Sequence, residues 1–228
     1  MKKVFESMSI SENLTSLTRD IPTGCTLIAV SKTQPIENIR DAYDWGQRVF
    51  GENRAQELAS KYELLPKDIE WHMIGHLQTN KVKYIAPFVH LIHSVDSEKL
   101  LEEINRQGQK LNRIIPCLFQ IHIAEEETKF GFSAPEVLEL VSSGIMKGLR
   151  YIQVKGLMGM ATFTENEQQV QKEFRNLRLL FEKLRSASLP DAITMEELSM
   201  GMSGDYKIAI REGSTMIRVG TAIFGDRK

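Results

Sequence analysis

The fold follows from the stretch Thr26-Leu27-Ile28-Ala29-Val30-Ser31-Lys32-Thr33 and from the recurrence of its pattern along the chain. Its run of small and apolar residues predicts a buried parallel strand, which the turn residues Thr33-Gln34-Pro35 end. Lys32 stands at the end of that strand. Partial desolvation there favours the neutral amine, which can condense with an aldehyde. The alternative is a lysine that leaves the sheet and is solvated, and this stretch alone leaves both open.

Seven further strands of this kind alternate with helical patterns along the chain. The predicted strands start at Thr26, Arg48, Glu70, His90, Ile114, Gly156, Thr194 and Thr215. Such alternation predicts βαβ units that together form a closed barrel, and a length of 228 residues suits one barrel. We therefore predict a single-domain α/β fold over residues 1–228, a TIM-type (β/α)8 barrel with an extra N-terminal helix over residues 5–17.

Helix starts are marked by capping residues. Ser133-Ala134-Pro135-Glu136 and Thr164-Glu165-Asn166-Glu167 have the spacing of capping boxes, and Ser203 is expected to start the helix that Gly213 ends.

Composition excludes several classes of partner. Hydrophobic residues make up 42% of the chain, and 29 basic against 30 acidic residues give a net charge of −1, which does not indicate a nucleic-acid or membrane partner. No apolar run approaches the roughly 18 residues of a membrane span. Cys25 and Cys117 lie far apart, in no metal-binding spacing, which is typical of a reducing compartment. We expect a soluble, cytoplasmic protein.

Polar residues follow the predicted strands where a barrel carries its function, at the carboxyl ends. Lys32 follows the first strand and Asn53 the second. Residues 198–205 supply hydroxyls, glycines and a helix start after the seventh strand, and Arg218 precedes Gly220-Thr221 at the eighth. Phosphate is commonly held after strands seven and eight. Together these segments favour a phosphorylated ligand.

Arg218 stands among the apolar residues Met216, Ile217 and Val219. A buried guanidinium needs a partner, because an unpaired buried charge costs several kcal/mol. A salt bridge to a barrel acid such as Glu52 is the structural alternative to a functional role.

The histidines do not predict a metal site. His72 and His76 would share a strand face, since the strand period is two, so a divalent metal is geometrically conceivable. No neighbouring carboxylate or cysteine completes a site in the sequence. We therefore expect hydrogen-bonded or surface histidines and no metal. The GxSxG, Walker-type and GxGxxG motifs are also absent from the sequence.

Six motifs carry a family resemblance along nearly the whole chain. They are Ala29-Val30-Ser31-Lys32, Phe50-Gly51-Glu52-Asn53, Trp71-His72-Met73-Ile74-Gly75-His76-Leu77-Gln78-Thr79-Asn80-Lys81, Gly156-Leu157-Met158, Leu198-Ser199-Met200-Gly201-Met202-Ser203 and Gly213-Ser214-Thr215-Met216-Ile217-Arg218-Val219-Gly220-Thr221-Ala222-Ile223-Phe224-Gly225. With them the chain resembles the pyridoxal phosphate homeostasis protein family, also called YggS-like or PROSC. The last two motifs are very specific.

The resemblance implies a barrel that binds pyridoxal 5′-phosphate (PLP), similar to the amino-terminal domain of alanine racemase. Lys32 matches the lysine that holds PLP as a covalent aldimine, and Arg218 matches the residue that faces the pyridine nitrogen. The remaining matches are a phosphate cup (Ser199, Ser203, Gly220, Thr221), a polar residue at the cofactor (Asn53), two methionines beside the ring (Met158, Met200) and a second lysine that assists transfer (Lys129). Arg54, Ala55 and residues 119–127 depart from the family's pattern.

Three functions remain open at this point. A PLP carrier in homeostasis, without robust turnover, is favoured because an arginine at the pyridine nitrogen disfavours the protonated ring that strong PLP catalysis uses. An amino-acid racemase is the second, since racemases that resemble this barrel also use arginine, but it would need an opposing base from a second domain, and the chain stops at Lys228. A regulatory module that docks on PLP-dependent enzymes is the third. The carrier is expected to be a monomer that delivers PLP to PLP-dependent apoenzymes.

Overall fold

The computed structural model describes residues 9–125 and 130–225. Eight parallel strands pair in chain order and form a closed barrel, with the eighth strand paired to the first. The strands are β1 (Thr26–Val30), β2 (Val49–Glu52), β3 (Glu70–Met73), β4 (Leu91–Val95), β5 (Ile115–His122), β6 (Ile152–Met160), β7 (Ile193–Ser199) and β8 (Met216–Val219). The predicted (β/α)8 barrel is confirmed.

Helices lie before the first strand, between successive strands and after the last strand. They are α1 (Ile10–Arg19), α2 (Ile36–Trp45), α3 (Ala55–Leu64), α4 (Val82–Ile85), α5 (Glu98–Leu111), α6 (Ala134–Ser142), α7 (Glu167–Arg185), α8 (Tyr206–Arg211) and α9 (Thr221–Phe224). The N-terminal helix α1 is confirmed, capped by Ser9, whose hydroxyl accepts from the Glu12 N–H. No helix within these described ranges is long and apolar enough to cross a membrane.

The apolar residues form two layers. The larger lies between the strands and the surrounding helices and takes in most of the buried side chains. A smaller cluster draws one residue from each of five strands: Ile28, Leu91, Leu118, Met158 and Met216. Because alternate residues of a barrel strand point inward, this cluster fills the barrel interior below the carboxyl ends of the strands.

Three strands differ clearly from their predicted bounds. The third and eighth, predicted over residues 70–76 and 215–225, both end early, and the sixth, predicted over residues 156–160, starts early. β8 ends at Val219, and the short helix α9 follows it. β3 ends at Met73, so Ile74, Gly75 and His76 form a loop. A Cβ on Gly75 would lie 2.5 Å from the Asn53 carbonyl oxygen, a contact that only glycine permits. β6 starts at Ile152, four residues before the predicted Gly156, at which a Cβ would lie 1.8 Å from the Glu197 carbonyl oxygen. This glycine lets β6 pass close to β7.

Two of the helix starts that were predicted from capping residues also differ in the structure. The capping box at Ser133 is confirmed, whereas α7 is capped by Asn166, whose side chain accepts from the Gln169 N–H, so the predicted box at Thr164 is wrong. The helix predicted from Ser203 begins at Tyr206, because the Asp205 carboxylate accepts from the Met202 N–H over 2.5 Å and closes a turn. Ser203 and Gly204 therefore lie in that turn.

Candidate functional site

A cavity of about 630 Å³ opens at the carboxyl ends of the strands. Its wall includes six of the residues that the sequence singled out: Lys32, Asn53, Ser203, Arg218, Gly220 and Thr221. These residues come from four strand ends that are far apart in the chain. Closure of the barrel brings them together, because the carboxyl ends of all eight strands meet at one face.

Lys32 is half-buried in the cavity wall, and both of its chain neighbours are held in place. The Ser31 hydroxyl donates to Oε1 of Glu52 over 2.6 Å. The Thr33 N–H donates to Oε1 of Glu57 over 2.7 Å. Thr33 has a φ of 62°, which is rare for a β-branched residue, so the bond to Glu57 stabilises an unfavourable turn. The backbone that carries Lys32 is thereby fixed.

Lys61, on α3, joins the groups that hold this segment. Its Nζ donates to the Ser31 carbonyl oxygen and to Oε1 of Glu52, both over 2.8 Å, and to Oε1 of Glu57 over 2.7 Å. Lys61 is 5% exposed and Glu52 is fully buried. Burial raises the pKa of Glu52, and the Lys61 ammonium opposes that rise. Sequence reasoning missed Lys61. Its i,i+4 spacing from Glu57 indicates an ion pair on a helix, but only the fold shows that the pair is directed inward.

Arg218 is buried on β8, 4% exposed, at the floor of the cavity. Its Nη1 donates to Oγ of Ser199 over 2.5 Å, and its Nη2 donates to the carbonyl oxygen of Gly159 over 3.0 Å. Burial lowers the pKa of Arg218 to about 10, an effect that the negative charge of Asp205 opposes. The guanidinium therefore remains charged at neutral pH.

The alternative of an Arg218 to Glu52 salt bridge is wrong. Glu52 pairs with Lys61 and Ser31, and across residues 9–125 and 130–225 Arg218 forms no ion pair within 4 Å. Its N–H groups donate to neutral oxygens, and the negative charge of Asp205 acts on it from beyond ion-pair distance.

A chain of buried hydrogen bonds continues from Arg218 into the barrel. Ser199 Oγ lies 3.0 Å from Nδ1 of His93, and Nε2 of His93 lies 2.9 Å from Nδ1 of His72. Burial lowers the pKa of His72 to about 3 and the pKa of His93 well below its ordinary value, so both rings are neutral. The prediction that His72 and His76 share a strand face is wrong, because β3 ends before His76, whose ring bonds to Asp96.

Backbone donors gather where the last two strands end. The Gly220 N–H donates to the Ser203 hydroxyl over 3.3 Å, which joins the turn after β7 to the end of β8. The N–H groups of Ser203, Gly204 and Thr221 donate to no acceptor in the parts of the chain that the structure describes. Convergent N–H groups of this kind form concavities that bind anions. This side of the cavity can therefore hold a phosphate group.

Three predicted residues lie outside the cavity wall. Met158 is in the interior cluster, Met200 packs in the layer beneath the helices, and Ser199 is fully buried under Arg218. Met160 and Met202, each two residues further along, line the cavity instead. The strand period explains the offset, since Met158 and Met160 point to the same side at different depths. Lys129 lies outside the described residues.

Comparisons with known proteins fit this arrangement. Residues 6–228 match the family model described as "Alanine racemase, N-terminal domain". The chain is 43% identical over 203 residues to the pyridoxal phosphate homeostasis protein of Aquifex aeolicus, a match that covers 89% of this chain and 87% of the relative. The chain belongs to the pyridoxal phosphate homeostasis protein family. Its relative in Pasteurella multocida is 36% identical, with 96% of this chain and 98% of the relative covered.

Solved structures place this family member among similar barrels. The structure of PipY from Synechococcus elongatus with PLP bound has a TM-score of 0.85 and 37% identity, and covers 95% of this chain and 100% of PipY. Alanine racemase from Bartonella henselae has a TM-score of 0.71 at 16% identity and covers 95% of this chain but 58% of the racemase. The second likeness shows the fold alone. The family predicted from the sequence motifs is thus confirmed.

Proposed function

We propose that this protein binds PLP reversibly at the mouth of the barrel and acts in PLP homeostasis. The observation that carries the proposal is the meeting, in one cavity, of the Lys32 amine, the Arg218 guanidinium and the unused N–H donors of Ser203 and Thr221. Relatives that cover most of this chain are named pyridoxal phosphate homeostasis proteins, and PipY has been solved with PLP bound.

The donor set fits the three functional parts of PLP. The N–H groups and hydroxyls of Ser203 and Thr221 suit the phosphate, and Arg218 suits the pyridine nitrogen. The Lys32 amine suits the aldehyde group that bound PLP would supply. We assign Lys32 as the covalent attachment point, where the neutral amine condenses with the aldehyde carbon and one water leaves. Asn53 and Gly220 complete the contact set, Ser199 acts through Arg218, and Met158 and Met200 support the site from below.

The charges favour a carrier over an enzyme that depends on a protonated pyridine ring. Arg218 keeps its charge at neutral pH, because its pKa is about 10. A cation at the pyridine nitrogen disfavours protonation of the ring and so weakens the electron sink that PLP enzymes use. The likeness to alanine racemase supports the fold alone. We propose that the cofactor is held and released, with no robust turnover.

The setting of this carrier is also part of the proposal. Cys25 and Cys117 are free thiols, as is typical of a reducing compartment, and we place the protein in the cytoplasm. We propose that it acts as a monomer and passes PLP to PLP-dependent apoenzymes. Sedimentation analysis with and without PLP tests the oligomeric state. Transfer of PLP from the loaded protein to a PLP-dependent apoenzyme, measured by the recovered activity of that enzyme, tests delivery.

Borohydride reduction of the PLP-loaded protein tests the attachment point. We expect a yellow protein that loses its colour on reduction, with a phosphopyridoxyl adduct on Lys32 by mass spectrometry. Lys32→Ala should lose the absorption band and keep the fold, whereas Lys67→Ala, which changes an exposed lysine, should keep both. An adduct confined to another lysine would refute the assignment of Lys32. Racemisation of alanine or serine at about 1 per second or faster would favour an enzyme instead.

A further inference from the structure

A second cluster of polar side chains lies at the opposite face of the barrel. Glu70 is the first residue of β3, and His90 directly precedes β4, so both stand at the amino ends of strands. His72 lies two residues after Glu70, on the same face of β3. Each of the three residues offers one possible metal-ligand atom, and these three atoms all lie within 4.8 Å of one another. None of the three lines the cavity at the mouth of the barrel.

His72 presents an unused nitrogen to this cluster. The side chain is 2% exposed, and its Nδ1 lies 2.9 Å from Nε2 of His93. Its Nε2 is buried and has no hydrogen-bond partner in the described parts of the chain. Buried polar atoms are normally satisfied, so this nitrogen indicates a missing ligand. The bond from the other ring nitrogen is the orienting contact that metal-binding histidines commonly have.

The other two side chains are spaced as ligands of one ion. Nε2 of His90 lies 3.6 Å from Oε2 of Glu70, beyond the ordinary range of a hydrogen bond. Ligands at the zinc distances of about 2.0–2.2 Å in a tetrahedral site lie about 3.4 Å apart. The side chains of His90 and Glu70 are 53% and 47% exposed, so both can adjust, and an ion can reach them from solvent.

We propose that Glu70, His72 and His90 bind a divalent cation of the zinc class, with solvent in the remaining position. Two imidazole nitrogens and one carboxylate oxygen suit zinc and its neighbours, and disfavour calcium and magnesium, which take oxygen ligands. The ion would join the start of β3 to the residue before β4. The site is separate from the PLP cavity, because its ligands lie at the other end of the barrel and none of them lines that cavity.

Zinc binding by the full-length protein, stripped of metal and without added PLP, tests the proposal. We expect one equivalent of Zn²⁺ to bind in competition with a chromophoric chelator, and Co²⁺ to give the visible absorption of a low-coordinate site. Glu70→Gln and His90→Ala should each weaken Zn²⁺ binding at least about tenfold. Both change half-exposed side chains, so the fold should be retained. The control is His76→Ala, which changes a half-exposed histidine that pairs with Asp96 and should keep wild-type affinity.

Thermal unfolding gives a second readout. Zn²⁺ should raise the Tm of the wild-type protein and of His76→Ala, because a ligand that binds only the folded state stabilises it. It should not raise the Tm of His90→Ala. Absence of stoichiometric binding, or equal affinity in the wild type, Glu70→Gln and His90→Ala, would overturn the proposal and leave the cluster as a surface ion pair beside a buried histidine.

Discussion

Arg218 donates from Nη1 to Oγ of Ser199 over 2.5 Å, and this bond joins β8 to β7 beneath the cavity. The same hydroxyl lies 3.0 Å from Nδ1 of His93, so one serine serves both a buried cation and a buried neutral ring. Ser199 has two lone pairs and can accept from both Arg218 and the Nδ1–H of His93, whose Nε2 then accepts from the Nδ1–H of His72. The position of the guanidinium therefore depends on a side chain that does not line the cavity.

Ser199→Ala should destabilise the protein by about 1–3 kcal/mol, because it leaves a buried N–H of Arg218 and a ring nitrogen of His93 without a partner. Urea denaturation measures the change. Ser203→Ala is the matched control, since its hydroxyl accepts only the 3.3 Å bond from the Gly220 N–H beside the cavity. The interpretation of Ser199 as the support of Arg218 would be refuted if the two variants lost equal stability.

Lys61→Met should reduce the free energy of unfolding by about 3–5 kcal/mol, because it leaves the buried Glu52 carboxylate without its ion-pair partner. The affinity for PLP should also fall, since Lys61 no longer holds the Ser31 carbonyl and the two carboxylates, Glu52 and Glu57, that fix the backbone around Lys32.

Chemical denaturation and a PLP titration measure these two effects of Lys61→Met. The double variant Lys61→Met with Glu52→Gln should recover part of the stability, because the uncompensated charge is removed. Lys67→Met, which changes an exposed i,i+4 pair, should be close to the wild type. A Lys61→Met protein of wild-type stability would contradict the proposal that Lys61 acts as a clamp, holding Ser31, Glu52 and Glu57 together.

Gly75→Ala should cost about 1–3 kcal/mol of stability and weaken PLP binding. An added Cβ would lie 2.5 Å from the carbonyl oxygen and 2.7 Å from Cα of Asn53, and backbone atoms cannot move aside cheaply. The control is Gly148→Ala, where an added Cβ meets nothing within 4 Å. Denaturation and PLP titration of both variants provide the measurement, and equal behaviour of the two would count against this close approach.

Stability should fall steeply in alkaline solution because of Cys117. Burial raises the pKa of this thiol from 9.0 to about 12. A thiol whose pKa is raised on folding contributes stability that is complete below pH 9 and is lost as the pH rises towards 12. The loss is about 1.4 kcal/mol for each pH unit in that window.

Denaturation at pH 8 and pH 10.5 measures this loss. The decrease should be smaller in Cys117→Ala than in the wild-type protein, although the variant is less stable at both pH values because it leaves a small cavity. An identical decrease in the two proteins would show that other groups cause the alkaline effect.

Helix and strand patterns in the sequence predicted the barrel well, but they predicted where individual strands begin and end less well. The amphipathic period of residues 36–45 and the following Gly46 predict a helix with the bounds that α2 has, because both are local signals. β3 stops short of its predicted end and β6 starts early, because Gly75 and Gly156 are required by neighbouring backbone rather than by their own strands. Contacts of that kind are invisible in a single segment.

The candidate site divides in the same way. Lys32, Arg218 and the hydroxyl and glycine residues after the last two strands could be identified from the sequence, since a barrel carries strand ends to one face. The family resemblance implies Met158 and Met200 beside the ring, whereas Met160 and Met202 line the cavity, because the depth of a side chain depends on how the strands are staggered. Lys61 is marked only by its i,i+4 spacing from Glu57, and nothing local shows that this helical lysine points towards the barrel.

The sequence by itself determined the strand and helix alternation, the family and the residues at the strand ends, because periodicity, turn residues and motifs are local properties of the chain. Only the tertiary structure decided which side chains meet. The bond between Arg218 and Ser199, the clamp of Lys61 and the grouping of His72 with Glu70 and His90 all join residues from different elements. Barrel closure sets these distances, and the relative register of the strands cannot be predicted from the sequence of any single strand.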